Sequence, residues 1–227
     1  MIFNFLQVDS GSLLLYEPSS ISLISLALKG GLIMLPILLL SIIALYIIGE
    51  RWWTIRKASM QDEHFMNNIH DFILDGKISS AIHLCQMQTS ASARFIEKGL
   101  GRIDRPLNDI HTALENVGNL EIARLERGLP MLSTIAGGAP MLGFLGTVIG
   151  MIQAFYNMSQ AGNNIDITLL SGGIYTAMVT TVAGLIVGII AYFGYNYLSA
   201  RIGTIMHTIE RNMIDFIEVL QEKSVKK

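Results

Sequence analysis

The sequence predicts an all-α membrane protein with three transmembrane helices and long cytoplasmic helical extensions. Three observations lead there. Charged residues are 15% of the 227, against about 25% in an ordinary soluble domain. The deficit is concentrated. No Asp, Glu, Lys or Arg occurs from Gly30 to Gly49, from Gly128 to Ile165, or from Ile167 to Ala200, runs of 20, 38 and 34 residues. Outside those runs the charge density is that of a soluble protein. Finally, Lys and Arg are distributed unequally around the runs, with one in residues 1–29, ten in 51–127, none between the second and third runs and five in 201–227.

A bilayer core of ~30 Å takes about 20 apolar residues in a helix. Each run therefore makes one crossing, and none is long enough for two with a turn. The spans are placed at 29–50, 130–156 and 173–198. The positive-inside rule puts the N-terminus outside, with 51–129 and the tail 199–227 in the cytoplasm. Residues 1–28 and 157–172 are then extracytoplasmic. Trp52 and Trp53 suit the inner headgroup level. The first run starts about thirty residues in and ends in Gly49-Glu50-Arg51-Trp52-Trp53. It lacks a small-residue cleavage site, so it reads as a retained helix and not a signal peptide. Mean hydropathy of +0.48 argues against a plain globular or disordered chain. A net charge of -2 gives no support for nucleic acid, and a single cysteine, Cys85, makes no disulfide within the chain.

Ahead of the first span, Ile21, Ile24 and Leu28 at helical spacing fit a short interfacial helix or a longer first helix equally. In the cytoplasmic part, Phe65, Ile69, Phe72 and Ile73 predict a helix that ends in a turn at Asp75-Gly76. Ser79 or Ser80 is expected to cap a second, with Ala81 and Leu84 inward. A third covers roughly Ala91 to Leu100. Pro106 suits the start of a fourth, with Ile110, Leu114 and Val117 on one face. This fourth helix is expected to run on to about Asn157, roughly 75 Å at 1.5 Å per residue, with Gly128-Leu129-Pro130 as a bend rather than a stop. After the third span, Ile202, Ile205, Ile209, Met213, Phe216 and Leu220 form one apolar stripe on a continuing helix. That stripe needs a partner surface, which the chain's own cytoplasmic helices, a neighbouring subunit or both together can supply.

The spans differ in composition. The first is Leu- and Ile-rich, broken mainly by Pro36 and Ser41, and is expected to face lipid. The second carries Gly146 and Gly150, a small-xxx-small pair that lets helix backbones approach in lipid. The third has Thr176, Thr180, Gly184 and Gly188 at intervals of four. Ordinary helix packing and a wet, functional face both fit that stripe, since Thr can satisfy its hydroxyl one turn back. Gly137-Gly138-Ala139-Pro140 is a possible kink. An ion path in a membrane usually contains a buried ionisable side chain, and none of the three runs holds an Asp, Glu, Lys, Arg or His. His64, His70, His83, His111 and His207 lie outside them, Glu50 sits at the cytoplasmic rim, and Asp166 on the outer connection is placed to cap the third span. If the chain conducts ions, the titrating carboxylate comes from another chain. No phosphate-binding loop or Ser-His-acid motif is legible, and His83, Cys85 and Met87 do not match a zinc spacing. No cofactor, metal or enzymatic activity is expected.

The segment from Ala139 through Pro140-Met141-Leu142-Gly143-Phe144-Leu145-Gly146-Thr147-Val148-Ile149-Gly150-Met151-Ile152, with Ala154-Phe155, resembles the second span of ExbB and TolQ proteins. Gly173-Ile174, Ala177, Thr180-Thr181, Gly184-Leu185 and Tyr195-Asn196 resemble their third, and Glu50-Arg51 also matches. MotA-type stators are more distant relatives, usually with four spans. The resemblance covers nearly the whole chain. It implies a ring, typically a homopentamer, in the inner membrane of a Gram-negative bacterium. The ring surrounds single-span partners of the ExbD or TolR type that carry a membrane Asp. It also implies that ion flow energises a TonB-type or TolA-type protein. By matching position, Thr147 and Thr181 are the polar residues facing the pore, and Gly146, Gly150 and Gly184 permit close approach. The chain departs from the family at Thr176, where many members have an acid, and at Ile190, where many have Pro. The second departure implies a straighter inner half of the third span. ExbB is the nearer likeness. A TolQ-like role, a gliding or secretion motor, and a non-conducting scaffold are the alternatives.

Overall fold

The computed structural model describes residues 31–60, 64–160 and 167–225, and all regular structure among them is helical. The expected interfacial helix and the Asp166 cap lie outside the described residues. α1 spans Met34–Ser59, α2 Phe65–Leu74, α3 Ile78–Met87, α4 Ala91–Leu100, α5 Leu107–Glu126, α6 Leu129–Gln160 and α7 Ile167–Val225. Three of these helical stretches are long and apolar enough to cross a membrane.

The short helices obey local rules. α2 ends in a Schellman motif: Gly76 takes φ +74°, its N–H donates to the Ile73 carbonyl at 3.1 Å, and Lys77 N–H donates to Phe72 at 2.8 Å. Glycine bears the left-handed turn without the Cβ penalty. That motif fixes where α3 starts. Lys77 occupies the N-cap with no side-chain bond, and its carbonyl accepts from Ser80 and Ala81 N–H. Ser79 and Ser80 therefore fall inside the first turn and do not cap it, contrary to the reading from sequence. The hydroxyl cap appears one helix later, where Ser90 Oγ accepts from Ala93 N–H at 3.1 Å and starts α4.

The break between α5 and α6 is sharper than a bend. Arg127 is extended (ψ 126°) and Gly128 is left-handed at φ +88°, so the helix stops and restarts at Leu129. Pro130 sits in the restarted first turn, where its missing N–H costs nothing. Arg51 ties this break to α1: it pairs with Glu50 and donates from Nη1 to the Arg124 carbonyl at 3.1 Å. An orphan carbonyl at a helix end is thereby satisfied.

α7 is a single helix of 59 residues, about 88 Å long. Its apolar stripe turns inward onto its own chain. Ile202, Ile205, Ile209, Phe216 and Leu220 are buried and Met213 is half-buried, packed on α2, α4 and α5. Phe216 is wholly buried because Gly99 leaves room for its ring; a Cβ on Gly99 would sit 2.9 Å from both Phe216 and Leu114. Phe65, Ile69, Ile73, Phe95, Ile110 and Leu114 complete this core. The chain's own helices thus supply one of the two partner surfaces open to the stripe. Charge ties the layer together at Arg94 and Glu121, 2.9 Å apart between α4 and α5.

Cys85 belongs to that core, while His83 and Met87 point outward, so the three soft side chains do not converge. Burial, helped by the Glu97 charge, pushes the Cys85 thiol up from an ordinary 9.0 to about 12. The thiolate, not the thiol, is the nucleophile. A maleimide at pH 8 is therefore expected to leave the folded protein unlabelled and to label it fully after denaturation. The unfolded thiol ionises near 9.0 while the folded one holds its proton to about 12. Stability from this group is complete below pH 9 and declines as pH rises between those values. Rapid labelling of the native chain would show that Cys85 is not enclosed.

Candidate functional site

The bundle of apolar helices is organised around the α6–α7 seam, where residues with little or no side chain let two backbones meet. Gly143, Gly146, Gly184 and Gly188 are buried there, with Gly150 and Gly173 half-buried. A Cβ on Gly184 would lie 2.5 Å from the Ala139 carbonyl oxygen, and one on Gly143 2.9 Å from that of Thr180. At Gly150 it would meet Ala177 at 2.9 Å, at Gly173 Ala154 at 2.5 Å, and at Gly146 it would run into the Thr180 side chain. Pro140 lies inside an unbroken α6 with its ring against Gly188. α1 packs more loosely on this pair. It buries Ile37 and Ala44 and seats Ile48 at Gly194, yet leaves Leu35, Leu38, Leu39, Ile42 and Leu45 exposed.

The threonines on the seam divide into two kinds. Thr180 is buried; its hydroxyl donates to the Ala177 carbonyl at 2.7 Å, so it is spent on its own helix. Thr147 and Thr181 are half-buried and meet across the seam, hydroxyl to hydroxyl. Both also reach the Gly143 carbonyl, Thr147 at 3.3 Å and Thr181 at 3.1 Å. Two hydroxyls have two protons between them. One goes to the Gly143 carbonyl and the other bridges the pair, which leaves oxygen lone pairs available to a third group. The pair accepts a hydrogen bond or ligates a cation, and it does not titrate.

The two threonines singled out from sequence are thus brought together, with Gly146, Gly150 and Gly184 on the same seam. Thr176 is half-buried near the start of α7, and α7 runs unbroken through Ile190. Gly143 was not picked out from sequence. Its carbonyl is the shared acceptor, and its place three residues before Gly146 was the available signal.

The model of the MotA/TolQ/ExbB proton channel family matches residues 87–211, more than half the chain, including all of α6 and both threonines. The chain belongs to this family, in its ExbB-like branch. The ExbB-like 1 protein of Synechocystis sp., named for biopolymer transport, is 33% identical over 173 residues, covering 75% of this chain and 68% of that protein. An ExbB homolog of Methanothermobacter thermautotrophicus is 30% identical over 80% of this chain, which spans 64% of that relative, just under two thirds. The Tol-Pal system protein TolQ of Haemophilus influenzae is 33% identical over 48% of this chain and 47% of its own. As an ExbB-like family member the chain is a multi-pass membrane protein of transport type and not an enzyme. The family match starts in α3 and ends in the polar half of α7, so it takes in the seam together with much of the packed polar layer.

Proposed function

We propose that this chain is the ring-forming inner-membrane subunit of a motor driven by the proton motive force. With an ExbD-type partner, it energises TonB-dependent transport across the outer membrane. Its N-terminus is periplasmic and its polar helices are cytoplasmic. Five copies surround the partner's single helices, and the Thr147–Thr181 pair of each copy faces the axial path. One observation carries this reading: a polar, half-open hydroxyl pair sits in the second and third spans, which contain no Asp, Glu, His, Lys or Arg of their own. Hydroxyls hold or pass a proton-bearing group but do not release protons at working pH. The carboxylate therefore comes from the partner, and the lone pairs left on Thr147 and Thr181 are oriented acceptors for it when protonated.

Purified chain in liposomes, alone and with the partner, tests this. Under an imposed membrane potential, proton uptake is expected only from vesicles that hold both proteins, and it disappears when the partner's membrane Asp is changed to Asn. Vesicles with this chain alone stay tight. Full conduction by the chain alone, or none by the pair while the particle remains intact, would refute the reading.

A further inference from the structure

We infer that the cleft between the C-terminal end of α1 and the middle of α7 binds the headgroup of one anionic phospholipid, with Arg56 and Arg201 gripping its phosphate. Arg56 follows the first charge-free run by two turns, and Arg201 is the first charge after the 34-residue run. Both line a cavity of about 340 Å³ together with Trp52, Ser59 and Tyr197. A second cavity, about 670 Å³, continues along α1 past Arg56 to Lys57 and Trp53. Three cations thus line the two cavities, and no carboxylate is among their described lining residues. Among the described residues the nearby acid, Glu50, is taken up by Arg51 and Thr54. Nor do Arg56 and Arg201 form an ion pair with any described residue.

The chemistry selects a phosphate at a membrane edge. An Arg fork matches phosphate oxygens in a way a point charge does not. Arg201 is held in place by Tyr197: it lies 5.6 Å over the ring, and its Nε donates to the hydroxyl at 3.4 Å. Trp and Tyr sit at the level where headgroups meet acyl chains. Deeper along the same two helices, Ile42, Tyr46 and Phe193 are exposed, which gives the lipid's tails an apolar surface to lie on.

The chain reports on this site by itself, because Trp52 and Trp53 are its two tryptophans. In phosphatidylcholine bilayers, dibrominated phosphatidylglycerol is expected to quench their fluorescence at several-fold lower mole fraction than dibrominated phosphatidylcholine. Arg56→Gln and Arg201→Gln each reduce that preference roughly fivefold. Lys223→Gln, far from the cleft, leaves it unchanged, and the charge-conserving pair Arg56→Lys with Arg201→Lys keeps only part of it, because the charge stays while the fork is lost. Equal quenching by the two lipids, or a preference that survives the double Gln change, overturns the assignment. So does loss of the preference on adding inorganic phosphate, which would make the ligand a soluble anion and not a lipid.

Discussion

Gly184→Ala is expected to lower the melting temperature of the purified protein sharply and to open the α6–α7 seam. The added methyl would face backbone on every side: 2.5 Å from the Ala139 carbonyl oxygen, 3.0 Å from Gly143 Cα and 3.1 Å from Gly143 N. No side chain can swing away, so the helices themselves must part. Overpacking of a tight core costs about 1–3 kcal/mol and sometimes more, and here it also separates Thr147 from Thr181. Gly146→Ala should be milder, because the obstacle is the Thr180 side chain rather than backbone. Gly203→Ala is the control. Nothing lies within 4 Å of a Cβ there, and Ala exceeds Gly in a helix by ~1 kcal/mol, so stability should hold or rise. Detergent melts followed by circular dichroism decide the matter; a Gly184→Ala protein that melts with the wild type would show that the seam is looser than described.

The Thr147→Val, Thr181→Val double variant is expected to keep the fold and lose ion flux. Valine keeps the branched shape, and the Gly143 carbonyl loses only the hydroxyl contacts at 3.3 and 3.1 Å. What disappears is the acceptor pair. A hydrogen bond accepted from a neutral, protonated carboxyl contributes ~0.5–1.5 kcal/mol, so proton uptake with the partner should fall by about two- to tenfold per hydroxyl. The corresponding Ser variants retain oxygen and should retain most of the flux. Thr180→Val should change flux little, since that hydroxyl is engaged by Ala177. Wild-type uptake by the double Val protein, at equal incorporation, would remove these residues from the ion path.

The spans were readable because charge in hydrocarbon is costly, and its absence over 20, 38 and 34 residues leaves a signal that needs no neighbours to interpret. The helix at Ala91–Leu100 and the glycine turn at Gly76 were readable for a related reason: each depends on residues within one turn. The start of α3 was not, because the Lys77 N–H bond to Phe72 overrides the usual preference of Ser79 and Ser80 for a cap. The stop at Gly128 was also ambiguous. Gly-Leu-Pro is compatible with a bend or a break, and the choice fell to the Arg51 grip on the Arg124 carbonyl, 73 residues away in sequence.

By itself, then, the sequence determined that the chain is helical, that it holds three membrane-length apolar helices, and that the charge-free runs of those helices contain no carboxylate. These are matters of composition and short-range spacing. Tertiary structure alone decided which side of each helix meets which. It turned the Ile202–Leu220 stripe onto the chain's own core, made Thr180 a packing residue while its neighbour Thr181 meets Thr147, and brought Gly143 into the site. Adjacent threonines are chemically identical until helices cross, and a rotation of ~100° per residue around α7 separates a spent hydroxyl from an available one.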